Sequence, residues 1–398
     1  MIGRAGSPDP DGAWIGRRTA TALSAAFLLF LAVPAVHQAV TEIREGSGWK
    51  VLALFRRRPS AVALKQFEQD LARDSRLGTQ AGAAYQSFLT SVLREGNDKV
   101  IIGRGGLLFY RREVEMAAGP GFLSARRRVR RGSSEGGAEG TSSDPVAAIV
   151  DYDRRLRARG IHLLFVPLPV KPFLYPEALR PEYPAEAGPA WNVDRERFMR
   201  ELSRAGVDVL DVTDDLWRAK AEGEVFLRLD THWAPRGVRV AADRIAERLR
   251  PLTGPPQKPY EGRTATATNG GDLLRMLGLG AGPSTFPTQT VEIVQGPPRG
   301  DDLAPVLLLG DSHTNIYSRK ELEWGEGAGL AEQLMLRLGV PVQVLALNGG
   351  AATQVRTILG RKPAVLAAKK IVVWSCTSRD LDDVAVSWDK VPLPGEER

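Results

Sequence analysis

The apolar run Val306–Leu309, which lies between Pro305 and the turn Gly310-Asp311-Ser312, restricts the fold of this chain most strongly. Consecutive apolar residues that end in a glycine turn are typical of a strand buried on both faces of a parallel sheet. The turn then carries one serine hydroxyl out of the end of the sheet. Ser312 is therefore a candidate nucleophile, and it needs a base and a group that orients this base.

Helix and strand patterns alternate before this run. An amphipathic helix from Pro145 ends at Gly160, and the apolar strand Ile161–Leu168 follows it. A helix over 194–204 then leads to a strand over 207–212. Such repeats predict an α/β fold with a doubly wound parallel sheet that binds ligands at the carboxyl ends of its strands.

A base and its orienting group precede the serine. We interpret Val225–Trp233 as another strand end, followed by a helix with Pro235 in its first turn. Alternate residues of an extended segment point the same way, so Asp230 can reach Nδ1 of His232 and leave Nε2 for the serine proton. The order Asp230, His232 and Ser312 predicts a catalytic triad at one edge of the sheet.

The segments after Ser312 supply further candidates. A helix is predicted over 326–338, and strands over 342–348 and 371–376. Asn348 and Gly349 follow a strand end and are candidate donors to an oxyanion, although a plain turn explains them equally well. His313 is interpreted as a residue of the site wall, and Asp311 as a helix cap. Cys376 has no basic neighbour and is interpreted as a buried structural thiol.

Composition limits the partners. A formal charge of +7 and an isoelectric point near 9.6 favour anionic partners in general. No nucleic-acid-binding motif is present, so we predict no nucleic-acid partner. One cysteine and four histidines provide no cluster with zinc-ligand spacing. We therefore predict neither a metal nor a cofactor.

The amino terminus contains an uncharged apolar stretch at residues 19–40, which is about long enough to span a bilayer as a helix. Basic residues precede it, so the positive-inside rule places residues 1–18 in the cytoplasm and the rest of the chain outside. A cleaved signal peptide is the alternative. We favour a retained single-pass anchor in the inner membrane, with the catalytic region in the periplasm.

The predicted organisation continues with a helical linker over 41–95, a catalytic domain over 96–385 and a tail over 386–398. Within the domain, residues 124–144 are rich in arginine, glycine and serine and predict a disordered surface insert.

Several segments resemble one family. Leu229-Asp230-Thr231-His232-Trp233 and Leu309-Gly310-Asp311-Ser312 are similar to the SGNH-hydrolase-like acetyltransferases of the AlgX and AlgJ type. The resemblance extends to Val166–Pro172, to Gly270–Leu277 and to the hairpin over 103–110. In this family the Asp-x-His block precedes the nucleophile, whereas ordinary SGNH esterases have it near the carboxyl terminus.

The resemblance implies an SGNH-hydrolase-like (flavodoxin-like) fold and the transfer of acetyl groups to hydroxyls of an exopolysaccharide such as alginate. It also implies a membrane-bound acyltransferase partner that supplies the acetyl groups. Two alternatives stay open on the sequence. One is an esterase that uses the same triad with water as the acceptor, and the other is a non-catalytic polysaccharide-binding scaffold of a secretion complex.

Overall fold

The computed structural model describes residues 16–56, 58–124, 144–279, 286–383 and 385–396. The chain divides into two compact units, Met1–Phe88 and Leu89–Arg398. Of the insert predicted over 124–144, only Ser124 and Asp144 are among the described residues. Residues 1–15 of the predicted cytoplasmic amino terminus also lie outside them.

The first unit is built from helices in its described part: α1 (Arg17–Arg44), α2 (Lys50–Leu54), α3 (Ala61–Asp74) and α4 (Arg76–Phe88). Helix α1 carries no charged side chain between Arg18 and Glu42, and its apolar side chains, such as Phe27 and Leu28, are exposed. Its length of about 42 Å exceeds the hydrocarbon thickness of a bilayer. The predicted apolar helix is therefore present, and it fits a transmembrane anchor.

The second unit contains the sheet. Its strands are β1 (Val100–Ile102), β2 (Leu108–Tyr110), β3 (His162–Leu168), β4 (Asp208–Val209), β5 (Arg263–Asn269), β6 (Gln289–Gln295), β7 (Val306–Gly310), β8 (Val342–Ala346) and β9 (Ile371–Thr377). Strands β4, β3, β9, β7 and β8 form one parallel sheet in this order. Strands β1 and β2, and likewise β5 and β6, form two separate two-stranded antiparallel sheets. The predicted α/β fold with a parallel sheet is confirmed.

Helices cover both faces of the sheet. They are α5 (Arg111–Ala118), α6 (Pro145–Ala158), α7 (Lys171–Leu174), α8 (Pro176–Leu179), α9 (Arg195–Arg204), α10 (Thr213–Ala219), α11 (Pro235–Thr253), α12 (Asp272–Leu277), α13 (Ser312–Asn315), α14 (Leu330–Leu338), α15 (Thr353–Gly360) and α16 (Pro363–Ala367). Along β7, Val306 and Leu308 pack into the core on one face, and Leu307 and Leu309 into the core on the other. This burial on both faces explains the uninterrupted apolar run.

Strand β7 lies between β9 and β8, so three connecting turns meet around its carboxyl end. Ser312 follows β7, Asn348 follows β8, and Arg379 follows β9. The fold thus brings segments that are distant in the sequence to one edge of the sheet, as expected for a doubly wound architecture.

Two predicted elements differ in the structure. Val225–Trp233 is not a strand end of the sheet. It is a turn in which Leu227 N–H donates to the His232 carbonyl, and Phe226 forms an isolated bridge with Trp233. The chain reverses direction at Asp230-Thr231, where Asp272 accepts the Thr231 N–H. The residues before and after this reversal therefore pair with each other.

The helix predicted from Glu326 begins only at Leu330. Gly325 and Gly327 adopt positive φ angles of 93° and 71°, which the helical conformation does not permit. The chain therefore enters the helix after Gly329, the residue at the N-cap position.

Candidate active site

The turn Asp230-Thr231-His232 is closed by its own carboxylate. The Asp230 Oδ1 atom accepts hydrogen bonds from His232 Nδ1 at 2.6 Å and from the His232 backbone N–H at 3.0 Å. Both side chains are buried. Because a carboxylate only accepts hydrogen bonds, Nδ1 of His232 carries the proton and Nε2 presents a lone pair.

The second oxygen of Asp230 is held from two other segments. Trp324 Nε1 and the Asp272 backbone N–H each donate to Oδ2 at 2.9 Å. Burial alone would raise the pKa of Asp230, but the charge of His232 and the hydrogen bonds from His232 and Trp324 lower it by more. Asp230 is consequently an anion with a single orientation.

The electrostatics of the pair favour a basic imidazole. Burial lowers the pKa of His232, whereas the charge and the hydrogen bond of Asp230 raise it, and the net shift is upward. Asp272 also carries a carboxylate oxygen 3.7 Å from His232 Nδ1. An imidazole supported in this way accepts a proton and stabilises the positive charge that results.

Ser312 is the first residue of α13, and Asp311 caps this helix by accepting the His313 backbone N–H at 2.9 Å. The capping role predicted for Asp311 is therefore present. No hydrogen bond of the Ser312 hydroxyl is found among the described residues, and the buried Nε2 of His232 has no partner there either. Catalytic hydrogen bonds often form only when a substrate is bound.

Three contacts hold the serine segment against the Asp230–His232 turn. Trp233 Nε1 donates to the His313 carbonyl at 2.9 Å, and the Tyr317 hydroxyl donates to the Trp233 carbonyl at 2.9 Å. The rings of His232 and His313 lie with their centroids 4.7 Å apart. The two fragments of the predicted triad are therefore neighbours in the fold, although 80 residues separate Trp233 from His313.

The remaining predicted residues differ in their surroundings. Asn348 and Gly349 are exposed after β8, and Asn348 Oδ1 accepts a hydrogen bond from Asn315 Nδ2 on the serine helix at 3.2 Å. His313, which the sequence places in the site wall, is fully buried, and its ring packs against that of His232. Cys376 is buried, as predicted, and burial raises the pKa of its thiol.

Asp272 belongs to the site but was not recognised as a site residue in the sequence. Its Oδ1 accepts the Thr231 backbone N–H at 2.7 Å, and its Oδ2 accepts the Thr231 hydroxyl at 2.6 Å. Asp272 thus fixes the turn that carries His232. Its position after Gly270-Gly271, in a segment that resembles the family, was the available signal.

Lys171 and Trp324 were also missed. The buried Lys171 ammonium donates to the Leu108 carbonyl at 2.8 Å and to the Arg228 carbonyl at 3.3 Å. Lys171 therefore joins β2 to the residues that precede the Asp230–His232 turn. Burial lowers the pKa of Lys171 to about 8. Lys171 lies in the family-like Pro-x-Lys segment, whereas nothing in the sequence around Trp324 indicates its contact with Asp230.

Asp230, His232 and Asp272 offer donor atoms within 4.8 Å of one another, as in some metal sites. Here, however, each carboxylate oxygen already accepts a hydrogen bond from His232, Trp324, Thr231 or the Asp272 backbone. These hydrogen bonds hold both carboxylates in place beside the imidazole. The arrangement is that of a candidate general base with its orienting carboxylates.

Gly271 allows the approach of Asp272 to this turn. Its φ is +86°, and a Cβ atom there would lie 2.2 Å from the Leu229 carbonyl oxygen. We expect Gly271→Ala to lower the free energy of unfolding by about 2–3 kcal/mol, from backbone strain and from the clash. Displacement of the Asp230 turn should also lower the rate at which a phosphonate labels Ser312.

The matched control is Gly278→Ala, at the other end of α12. Gly278 also has a positive φ, of 69°, but a Cβ atom there meets nothing within 4 Å. Urea unfolding and phosphonate labelling should be measured for both variants. Gly278→Ala reports the effect of backbone strain alone, whereas Gly271→Ala reports the effect of strain together with the clash. Equal effects of the two substitutions on Ser312 labelling would contradict the assigned role of Gly271.

Comparisons with known proteins identify the family to which the domain belongs. A family model described as "SGNH hydrolase-like domain, acetyltransferase AlgX" matches residues 100–377. A probable alginate O-acetylase AlgJ of Pseudomonas aeruginosa is 32% identical over 207 residues, which are 51% of this chain and 46% of the relative. The relative of the same description from Azotobacter vinelandii is 29% identical over 290 residues, 69% of this chain and 67% of the relative.

The chain thus spans about half the length of the Pseudomonas aeruginosa relative. Among solved structures, the O-acetyltransferase domain of Pseudomonas putida AlgJ matches with a TM-score of 0.53 and 25% identity, over 71% of this chain and 92% of that one. Pseudomonas aeruginosa AlgX matches over 71% of this chain and 63% of its own, with a TM-score of 0.52 and 19% identity, and supports the fold alone. Because the family model covers more than half of the chain, this protein belongs to the SGNH-hydrolase-like acetyltransferase family of AlgX.

Proposed function

We propose that this protein is an extracytoplasmic O-acetyltransferase that moves acetyl groups onto hydroxyls of an exopolysaccharide through an acetyl-Ser312 intermediate. The observation that carries the proposal is the buried Asp230–His232 pair, packed against the segment that begins with Ser312. The relatives described as probable alginate O-acetylases support an acetyl group as the cargo and an acidic polysaccharide as the acceptor.

In the first half-reaction, His232 Nε2 takes the Ser312 proton while the serine oxygen attacks the acetyl carbonyl of the donor. Collapse of the tetrahedral intermediate expels the donor's leaving group, which takes the proton from His232. In the second half-reaction, a sugar hydroxyl attacks acetyl-Ser312 and gives its proton to His232. Collapse then returns this proton to the Ser312 oxygen and releases the acetylated sugar.

The negative oxygen of each tetrahedral intermediate needs hydrogen-bond donors. We assign this role to the backbone N–H of Ser312, at the start of α13, and to Asn348 and Gly349. Because Asn348 Oδ1 already accepts a bond from Asn315, the amide of Asn348 is oriented with its Nδ2 donor available to other acceptors.

The amino-terminal helix supports the location of this reaction. With Arg17 and Arg18, the first residues of α1, on the cytoplasmic side, the second unit lies in the periplasm. Cytoplasmic acetyl groups are carried on a coenzyme that does not cross the membrane. We therefore propose that a membrane-bound acyltransferase partner passes acetyl groups to Ser312.

The test is an incubation of the full-length protein in detergent with an activated acetyl ester, with and without an acidic oligosaccharide acceptor. Transfer is expected to appear in mass spectra as acetylated oligosaccharide. Release of acetate alone, at the same rate with and without acceptor, would instead identify an esterase. Failure of Ser312 to react with a serine-directed phosphonate would point to a non-catalytic scaffold.

A further inference from the structure

A second histidine lies directly beside the catalytic one. His313 is fully buried, and its ring contacts the rings of His232, Trp233 and Phe226 at centroid distances of 4.7, 5.9 and 6.4 Å. Its Nε2 atom is buried without a hydrogen-bond partner among the described residues. The reaction steps above make no use of this ring, although it is the nearest titratable group to His232 on the serine segment.

The tautomer of His313 follows from its neighbours. The Thr377 hydroxyl contacts both the Asp311 carboxylate and His313 Nδ1, the latter at 3.1 Å. A carboxylate accepts hydrogen bonds only, so the single hydroxyl proton of Thr377 points to Asp311. The Thr377 oxygen must then accept from Nδ1–H of His313, and Nε2 carries a lone pair.

The charges around His313 keep this ring neutral. The pKa of His313 is lowered to about 3, mainly by burial and next by the neighbouring His232, against the opposing effects of Asp311 and Asp230. The Arg379 guanidinium, which pairs with Glu113 at 3.0 Å, acts in the same direction as His232. An uncharged ring next to the base avoids repulsion when His232 takes up its proton.

We propose that His313 is a positioning residue for the catalytic imidazole, and that Asp311 and Thr377 hold its neutral ring in the Nδ1–H tautomer against His232. Asp311 therefore has a second role besides capping α13. Two imidazoles that are each supported by a carboxylate therefore lie next to each other. Asp230 holds His232 directly, and Asp311 holds His313 through the Thr377 hydroxyl. The proposal rests on the proposed function in that His232 is the base for Ser312.

Thr377 permits a test that leaves both histidines in place. Thr377→Val keeps the shape of the side chain but removes the acceptor for Nδ1–H, whereas Thr377→Ser keeps the hydroxyl. The matched control is Ser375→Ala, because Ser375 is a buried hydroxyl on the same strand that bonds Thr314 at 2.8 Å and the Leu309 carbonyl at 3.2 Å. The readout is the rate of phosphonate labelling of Ser312 in the full-length protein, measured from pH 5 to 9.

We expect Thr377→Val to lower the labelling rate at its plateau about 10-fold, which is a fraction of the roughly 100- to 10,000-fold effect of a general base, because His232 itself stays in place. Without the Thr377 acceptor, His313 can move its proton to Nε2, and the N–H that replaces the lone pair disfavours a charged His232. The midpoint of the profile should therefore fall by about half a pH unit. Thr377→Ser should restore the wild-type midpoint, and Ser375→Ala should leave it unchanged.

A wild-type midpoint in Thr377→Val would overturn the proposal, as would a Thr377→Ser variant that behaves like Thr377→Val. If wild-type Ser312 does not react at all, the proposed function fails, and nitrogen NMR of histidine-labelled protein then decides the tautomer. The chain has four histidines, and His313→Gln assigns the signal. A His313 ring that is protonated on Nε2, or that titrates between pH 6 and 8, contradicts the proposal.

Discussion

The Ser312→Ala variant is expected to transfer acetyl groups at least about 1,000-fold more slowly than the wild-type protein, because it removes the atom that becomes acetylated. Mass spectrometry of the intact protein after brief exposure to an acetyl ester should detect an acetylated enzyme in the wild type and none in the variant. The free energy of unfolding should change little, since no hydrogen bond of this hydroxyl is found in the described part of the chain.

Ser318→Ala provides the matched control. Ser318 lies six residues further along and bonds Glu332 at 2.6 Å, so its loss removes a serine that the mechanism does not use. Wild-type rates in Ser318→Ala together with the loss in Ser312→Ala would assign the effect to the nucleophile. Persistent acetylation of the Ser312→Ala protein at the wild-type rate would show that another residue carries the acetyl group.

The second large effect concerns Asp230→Asn. A carboxamide removes the negative charge beside His232, and its NH2 group cannot accept from Nδ1–H. In serine proteases that use a Ser-His-Asp triad, the corresponding change lowers kcat about 10,000-fold. We expect a loss of about 1,000- to 10,000-fold in acetyl transfer here, measured with saturating acceptor.

The same substitution should alter the dependence of stability on pH. Because the pKa of Asp230 is lower in the folded protein than in the unfolded chain, ionised Asp230 stabilises the fold above a pH of about 4. This contribution is lost as the pH falls towards the folded-state pKa. Urea unfolding at pH 7 and at about pH 2.5 should therefore show a smaller pH dependence for Asp230→Asn than for the wild type.

Asp243→Asn is the control for this measurement, because Asp243 is an exposed carboxylate that pairs with Arg337 on the protein surface. Exposed ion pairs contribute only about 0–1 kcal/mol. A pH dependence of unfolding in Asp230→Asn that equals that of the wild type would contradict the assignment of a buried, ionised Asp230.

Much of the sheet was predictable because each buried strand has a local pattern. The apolar residues before Ser312 and those of β3 and β9 pack on both faces, and this requirement alone makes their sequences continuous and apolar. The error at Val225–Trp233 has the same origin. A buried apolar run resembles a strand even when Thr231, which donates hydrogen bonds to the Asp272 carboxylate, lies in a turn that leads the chain back on itself.

The Asp230–His232 contact was predictable for a geometric reason, since only one residue separates the two side chains. The groups that orient Asp230 were not. Asp272 lies 42 residues from Asp230 and Trp324 lies 94 residues away, and no periodicity in the sequence relates such positions. Likewise, the sequence shows that Asp311 and His313 are close together in the chain. The contact of Thr377 with both residues depends on β9 lying next to β7.

The amino-acid sequence by itself determined the strand before Ser312, the Asp-x-His pair and the apolar amino-terminal helix, because each depends on residues that are close in the chain. Only the tertiary structure decided which groups surround His232 and that His313 is buried against it. The contact of His313 with Thr377 arises because β9 lies next to β7 in the sheet. Asp272 and Trp324, in contrast, reach Asp230 from segments outside that sheet. Strand order is a property of packing between distant segments, and the local pattern of a single segment does not encode it.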